Sequence, residues 1–193
     1  PIEKLTIPSY VQEIGDHAFS SCQKLKSLTF AEDSILRSIH SYAFASTSIE
    51  KASIPPHVRE IGDHAFSSCR KLKNVLFTKN SELQTINNGA FAQTSIERLT
   101  IPSHVDSLKE GCLRNIHKLT NIEILPGNKH YSYVNKSLLL YKENEKSDVY
   151  DTLIYARPDI ERVTIPPYIK EIEDYTFEGC KKLKYVEFSN NCK

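Results

Sequence analysis

The sequence lacks a net charge of any size: 25 lysine and arginine residues stand against 24 aspartate and glutamate residues, for a formal +1. A balanced surface gives no electrostatic reason to expect nucleic acid or an anionic membrane as partner, since both select a basic excess. No apolar run approaches the roughly 20 residues of a membrane-spanning helix, so direct membrane insertion by this stretch is not expected. No signal peptide is visible in this stretch, which says little about a longer parent protein. The chain opens at Pro1-Ile2-Glu3-Lys4-Leu5, inside what proves to be a repeat, and reads as a fragment of something longer. Glycine is scarce, with six residues in all, which leaves little for loops that cradle phosphate. Neither a nucleophile elbow nor a His-Glu-x-x-His motif occurs. No cofactor and no catalytic centre is therefore expected.

What the sequence does contain is self-similarity. Residues 5–27 read LTIPSYVQEIGDHAFSSCQKLKS and residues 52–74 read ASIPPHVREIGDHAFSSCRKLKN, identical at 16 of 23 positions. Residues 28–51 and 75–98 agree at 11 of 24. Units of 23 and 24 residues alternate, and the 23-residue form returns at 99–121 and 163–185. Beneath it runs a shorter pattern of apolar, two variable, apolar, one variable, apolar. It occurs as Ile2-Leu5-Ile7, Leu25-Leu28-Phe30, Ile49-Ala52-Ile54 and Leu72-Val75-Phe77. It returns as Ile96-Leu99-Ile101, Leu119-Ile122-Ile124, Ile160-Val163-Ile165 and Leu183-Val186-Phe188. The closing alternation predicts a strand with one buried face. One strand per 20–29 residues marks a leucine-rich repeat, in which no unit buries its apolar side alone and neighbours stack on a shared core.

The rest of each unit returns the chain. Pro8, Pro55, Pro102 and Pro166 follow the last inward strand residue and stop the ladder for want of an amide donor. Val11 with Ile14, and Val58 with Ile61, give a second short apolar pair. In the Gly-Asp-His-Ala-Phe segments at 15–19 and 62–66, Asp16 and Asp63 are expected to cap a single helical turn. Phe19, Phe44, Phe66, Phe91, Leu113 and Phe177 form an aromatic spine on the convex side. A charge column, Glu3, Lys26, Glu50, Lys73, Glu97, Thr120, Glu161 and Lys184, places opposite charges beside each other over most of the stack and penalises a slip by one unit.

Cys22, Cys69 and Cys180 share one repeat position, and Cys112 sits four positions earlier in its unit. Cys22 and Cys69 fall two units apart, about 9–10 Å by strand spacing, beyond the reach of a disulfide. They read as small buried apolar groups, and Cys192 as exposed. No pair has zinc-finger spacing. His17 and His64, like His57 and His104, are also two units apart, too far to share a metal, and read as exposed loop residues.

The phrase I-P-x-x-V-x-x-I-G-x-x-A-F-x-x-C-x-x-L, nearly complete at 7–25 and 54–72, resembles the BspA-like class of leucine-rich repeats. Residues 101–119 depart from it at Cys112, Leu113 and Ile116, and residues 165–183 at Glu173. The resemblance implies a right-handed curved repeat solenoid, with a parallel concave β-sheet and short strands or helical turns on the convex side. It further implies a surface protein that adheres to host cells or to matrix proteins such as fibronectin and fibrinogen. An intracellular scaffold in the cytoplasm is the alternative, and an enzyme the least expected reading.

The whole chain, 1–193, reads as one solenoid domain carrying an inserted β-hairpin at 126–158. Ser137–Tyr141 and Thr152–Ala156 are its expected strands, with a polar turn at Lys142–Asp148. Asn135-Lys136-Ser137 matches a glycosylation acceptor pattern. Tyr131, Tyr133, Tyr141, Tyr150 and Tyr155 fall in this segment, either as a binding surface or packed back on the solenoid. On the concave face, the outward columns are mostly polar. Leu76 breaks a threonine and serine column, so a protein partner is expected around Leu76, Arg98, Asn121, Glu123 and Leu125. Neither end carries a polar cap, so the end repeats are expected to fray or to associate end to end with other copies.

Overall fold

A computed structural model of the chain describes residues 1–189. It contains seventeen strands, β1–β17, and no helix among the described residues. Eight four-residue strands carry the inward pattern: β1 (Lys4–Ile7), β3 (Ser27–Phe30), β5 (Lys51–Ile54), β7 (Asn74–Phe77), β9 (Arg98–Ile101), β11 (Asn121–Ile124), β15 (Arg162–Ile165) and β17 (Tyr185–Phe188). They pair in parallel in the register the repeat demands, with Leu5 beside Leu28 and Ala52 beside Val75. This long-strand face is not one continuous ladder. It divides into β1-β3, β5 to β11, and β15-β17.

The Val-x-x-Ile half of each unit forms a second sheet. Five two-residue strands, β2 (Glu13–Ile14), β4 (Ser38–Ile39), β6 (Glu60–Ile61), β8 (Thr85–Ile86) and β10 (Ser107–Leu108), pair in parallel. Ile39, Ile61 and Ile86 point inward from it and are wholly buried. Between the sheets lies the core, built as the periodicity predicts: Leu25, Ile49, Leu72, Ile96 and Leu119 from one side, Leu36, Val58, Leu83 and Val105 from the other. The phenylalanine spine is present, with successive ring centroids of Phe19, Phe44, Phe66 and Phe91 separated by 5.4, 5.3 and 5.7 Å.

The expected helical turn is absent. His17, Ser21, Tyr42, Ser46, His64 and Ser68 all have φ between 54° and 60°, left-handed backbone that no right-handed helical turn can pass through. Bonds between turns hold this conformation: His17 N–H donates to Ser41 O (2.9 Å), Phe19 N–H to Ala43 O (2.8 Å) and Ser21 N–H to Ala45 O (2.8 Å). Asp16 and Asp63 consequently cap nothing within their own unit. Their carboxylates accept the backbone N–H of Ser41 (2.9 Å) and Asn88 (3.0 Å) in the following turn. The histidines of these turns are not solitary either. His17, Tyr42 and His64 stack at centroid distances of 4.8 and 4.9 Å. The predicted charge column closes one ion pair among the described residues, Lys184 to Glu161 at 3.1 Å, because exposed lysine and glutamate gain little from fixing each other.

Gly62 marks the tightest approach of a glycine to the main chain of a neighbouring turn among the described residues. A Cβ there would lie 2.7 Å from His40 C and 2.8 Å from Ser41 N, whereas one on Gly15, in the same local sequence, meets nothing within 4 Å. Gly62→Ala should therefore destabilise the chain by about 1–3 kcal/mol through overpacking against main chain. Gly15→Ala should leave urea unfolding close to unchanged, and equal midpoints for the two variants would contradict the stacking.

Candidate functional site

Three consecutive rungs of the long-strand face bring together the residues predicted to meet a partner. Leu76 projects from β7 and is 46% exposed. Arg98 is exposed on β9, and Asn121 and Glu123 are exposed on β11, with Asn121 paired to Arg98 and Glu123 to Thr100. Leu125 follows β11 half-buried, its N–H donating to Ile101 O at 2.9 Å. The ladder from β7 to β9 holds only at Asn74 and Arg98, so the backbone beside Leu76 is not tied to the next rung. Among the described residues neither Arg98 nor Glu123 has an ion-pair partner. Sequence reasoning missed a second opening on this face. A groove of about 760 Å³ lies where β3 and β5 separate, walled by Leu28, Phe30, Ser53 and Pro55.

The insertion contains the expected hairpin, its second and third strands being antiparallel, and adds a strand ahead of it. It has three strands: β12 (Tyr131–Val134), β13 (Leu138–Tyr141) and β14 (Thr152–Ala156). β12 and β13 are antiparallel across the three residues Asn135, Lys136 and Ser137; the first two take positive φ (51° and 52°), and Ser137 N–H closes the turn on Val134 O at 3.0 Å. β14 then pairs in parallel with the short strand β16 (Glu171–Ile172) and restarts the solenoid. The missed strand is a Tyr-Ser-Tyr-Val alternation whose turn carries Asn-Lys rather than the more telling Asn-Gly.

The tyrosines serve this architecture. Tyr131 is buried, and its hydroxyl accepts Leu108 N–H (2.7 Å) and donates to Asp106 O (3.3 Å). In every earlier turn those main-chain groups meet the next rung, so the phenol replaces a missing strand. Tyr131 thus offers no surface to a partner. Tyr155 is buried and donates to Leu119 O at 2.9 Å. Burial raises both phenols above the ordinary tyrosine range. Tyr133 is half-buried with its hydroxyl on Lys136 O (2.9 Å). Tyr141 lies against Tyr131 (5.3 Å), and the Lys142 ammonium covers the Tyr150 ring (4.7 Å). Within this set Tyr133, Tyr141 and Tyr150 keep partial exposure.

The missing rung leaves a cleft of about 430 Å³ between Ser107–Glu110 and Glu171–Asp174, with Tyr131 and Tyr141 between them. Beside it, Arg114 and Asn115 reach Glu178 across the gap at 2.7 and 2.8 Å, and Arg114 lies 4.3 Å from the centroid of Tyr175. Burial, then repulsion from Glu171, Glu110 and Asp174, holds the Glu173 carboxyl above the usual carboxylate range. No sequence motif marks this cleft. Its one signal is the loss of the Val-x-x-Ile half-unit after Ile124.

The cysteines behave as packing groups. Burial pushes the Cys112 thiol up to about 12 and Cys180 up to about 11, and the Cys69 thiol donates to Phe44 O at 3.1 Å. Cys22, Cys69, Cys112 and Cys180 are unpaired, while Cys192 lies outside the described residues. Among the described residues no group of three or more histidine, cysteine, aspartate or glutamate side chains is arranged for a metal ion, and no helix is long and apolar enough to cross a membrane.

Parallel rungs on a shared core, with a polar outward strand face, define a leucine-rich-repeat solenoid of about eight turns. The chain belongs to the BspA type leucine rich repeat family, whose description matches in six copies over residues 1–120 and 147–193. The unmatched stretch falls within the insertion and its approach. Among solved structures, the pneumococcal vaccine antigen PcpA is similar, with TM-score 0.88 and 29% identity over 97% of this chain and 45% of that one. A leucine-rich cell surface protein of Faecalibacterium prausnitzii gives TM-score 0.71 at 21% identity, over 97% of this chain and 61% of that chain. A leucine-rich-repeat protein of Eubacterium ventriosum gives 0.69 at 20%, over 96% and 55%. The last two share the fold. The chain spans about half the length of these proteins. No curated protein sequence matches it.

Proposed function

We propose that this chain is a non-catalytic recognition module of a cell-surface or secreted protein, and that it docks a host matrix or cell-surface protein on its long-strand face. The observation that carries this reading is the patch of Leu76, Arg98, Asn121 and Glu123 on adjacent rungs. It joins an exposed apolar side chain to two charges without partners among the described residues. An apolar centre with a polar rim is the ordinary composition of a protein interface, and arginine is over-represented among the residues that dominate such contacts. The similarity to a pneumococcal antigen supports the surface placement.

Biolayer interferometry of the chain against immobilised fibronectin, fibrinogen and serum albumin tests the reading. Saturable binding to one of the first two, with albumin silent, is the expected result. Leu76→Glu together with Arg98→Glu should weaken it by at least about tenfold, as loss of a central contact does. Binding to none of the three, or binding indifferent to the double substitution, would refute the assignment.

A further inference from the structure

The cleft beside β10 is an interrupted β-ladder, and its unpaired main-chain groups are in the middle of the solenoid. In each preceding turn, the donors at one fixed set of positions bond to the next turn. Gly89 N–H reaches Glu110 O (3.2 Å), Phe91 N–H reaches Cys112 O (3.0 Å) and Gln93 N–H reaches Arg114 O (2.9 Å). The corresponding donors of the following turn are Gly111, Leu113 and Asn115, and among the described residues none finds a main-chain acceptor in the next turn. On the acceptor side, Ile86 O takes Lys109 N–H (2.8 Å), whereas its equivalent, Leu108 O, takes no donor among the described residues. The Tyr131 hydroxyl satisfies only Leu108 N–H and Asp106 O. The sheet order β10-β8-β6-β4-β2 leaves β10 as a sheet edge, and an unpaired edge is a template for another strand.

The electrostatics of the cleft specify what kind of strand fits. Its walls carry Glu110, Glu171, Glu173 and Asp174 against the single ammonium of Lys109. Among the described residues none of these carboxylates has an ion pair. Four carboxylates facing one another repel, and the raised Glu173 carboxyl reports that repulsion together with its burial. A cation entering the cleft relieves it. Tyr141 adds a ring wall with partial exposure, on which the stem of a lysine or arginine can lie. At about 430 Å³ the opening falls within the ordinary range of ligand pockets, roughly 300–1,000 Å³.

We infer that this cleft binds an extended, basic peptide segment of a protein partner, which supplies the absent rung beside β10 by donating an N–H to Leu108 O. Its lysine or arginine side chains meet Glu110, Glu171, Glu173 and Asp174. The site is separate from the long-strand patch and does not depend on it.

The test uses the full chain and a fluorescein-labelled, acetylated and amidated pentapeptide, Lys-Val-Lys-Val-Lys, followed by fluorescence anisotropy at low salt. Saturable binding is expected. N-methylation of both valines should abolish it by removing main-chain donors, and the acidic counterpart Glu-Val-Glu-Val-Glu should not bind. Glu110→Gln with Glu173→Gln should weaken binding about tenfold, whereas Leu76→Glu with Arg98→Glu should leave it unchanged. Lack of saturation by the basic peptide overturns the inference, as does equal binding of the methylated or acidic peptide. A loss caused by the long-strand variant and not by the glutamate variant would place the peptide elsewhere and likewise overturn it.

Discussion

Phe66→Ala should lower the stability of the chain by about 3–5 kcal/mol, the usual cost of deleting a wholly buried aromatic side chain. For a chain of this length that shifts the thermal midpoint by roughly 10 °C. Phe66 is 0% exposed and lies between Phe44 and Phe91 at 5.3 and 5.7 Å, so its removal empties one space and unmakes two ring contacts. In a stack whose stability is a sum of unit and neighbour terms, both interfaces of that turn weaken together. Phe19→Ala is the internal comparison. Phe19 is half-buried and stacks on Phe44 alone, so its loss should cost clearly less. Differential scanning calorimetry of the two variants checks the ordering, and a midpoint for Phe66→Ala no lower than that for Phe19→Ala would disprove the spine's central role.

The parts of the fold that could be read from residues are those that depend on position within one unit. Inward strand residues repeat every 23 or 24 places and alternate locally, so the long-strand face, its core and the phenylalanine column were all readable. Contacts between units were less so. Asp16 has the residue type of a helix cap, and only the positive φ of His17 and Ser21 redirects its carboxylate to Ser41 in the next turn. Stacking of His17, Tyr42 and His64 likewise becomes visible once units are laid side by side. The alternating charge column was correctly placed, yet it closes a single pair among the described residues, since adjacency on an exposed sheet does not fix long side chains. The cleft was hidden for a different reason. It arises from a half-unit that is missing after Ile124, and an absent Val-x-x-Ile leaves no residue to notice. Its carboxylates come from turns 61–64 residues apart in sequence, Glu110 against Glu171, Glu173 and Asp174, that face each other only because the insertion displaces the rung between them.

Tyr131→Phe tests how that interruption is held closed. The substitution keeps the ring, so packing against Tyr141 is retained, but it removes the hydroxyl that serves both Leu108 N–H and Asp106 O. A main-chain group left without a partner in a buried site costs about 1–3 kcal/mol. Two are affected, Leu108 N–H in buried surroundings and Asp106 O in partly buried ones, so a loss of about 2–4 kcal/mol is expected. Tyr155→Phe provides the contrast. Its hydroxyl donates to the single acceptor Leu119 O, and a carbonyl that loses one donor should cost nearer 1 kcal/mol. The effect of Tyr131→Phe should also be local in exchange measurements. The amide of Leu108 should lose hydrogen-exchange protection, while those of Ile39 and Ile61, whose neighbours in the short-strand sheet are backbone strands, should keep theirs. Unaltered protection at Leu108, or equal destabilisation by the two phenylalanine substitutions, would mean that the phenol is not the surrogate rung. The edge of β10 would then be held by the insertion's packing alone, through Leu139, Tyr141 and Ile154.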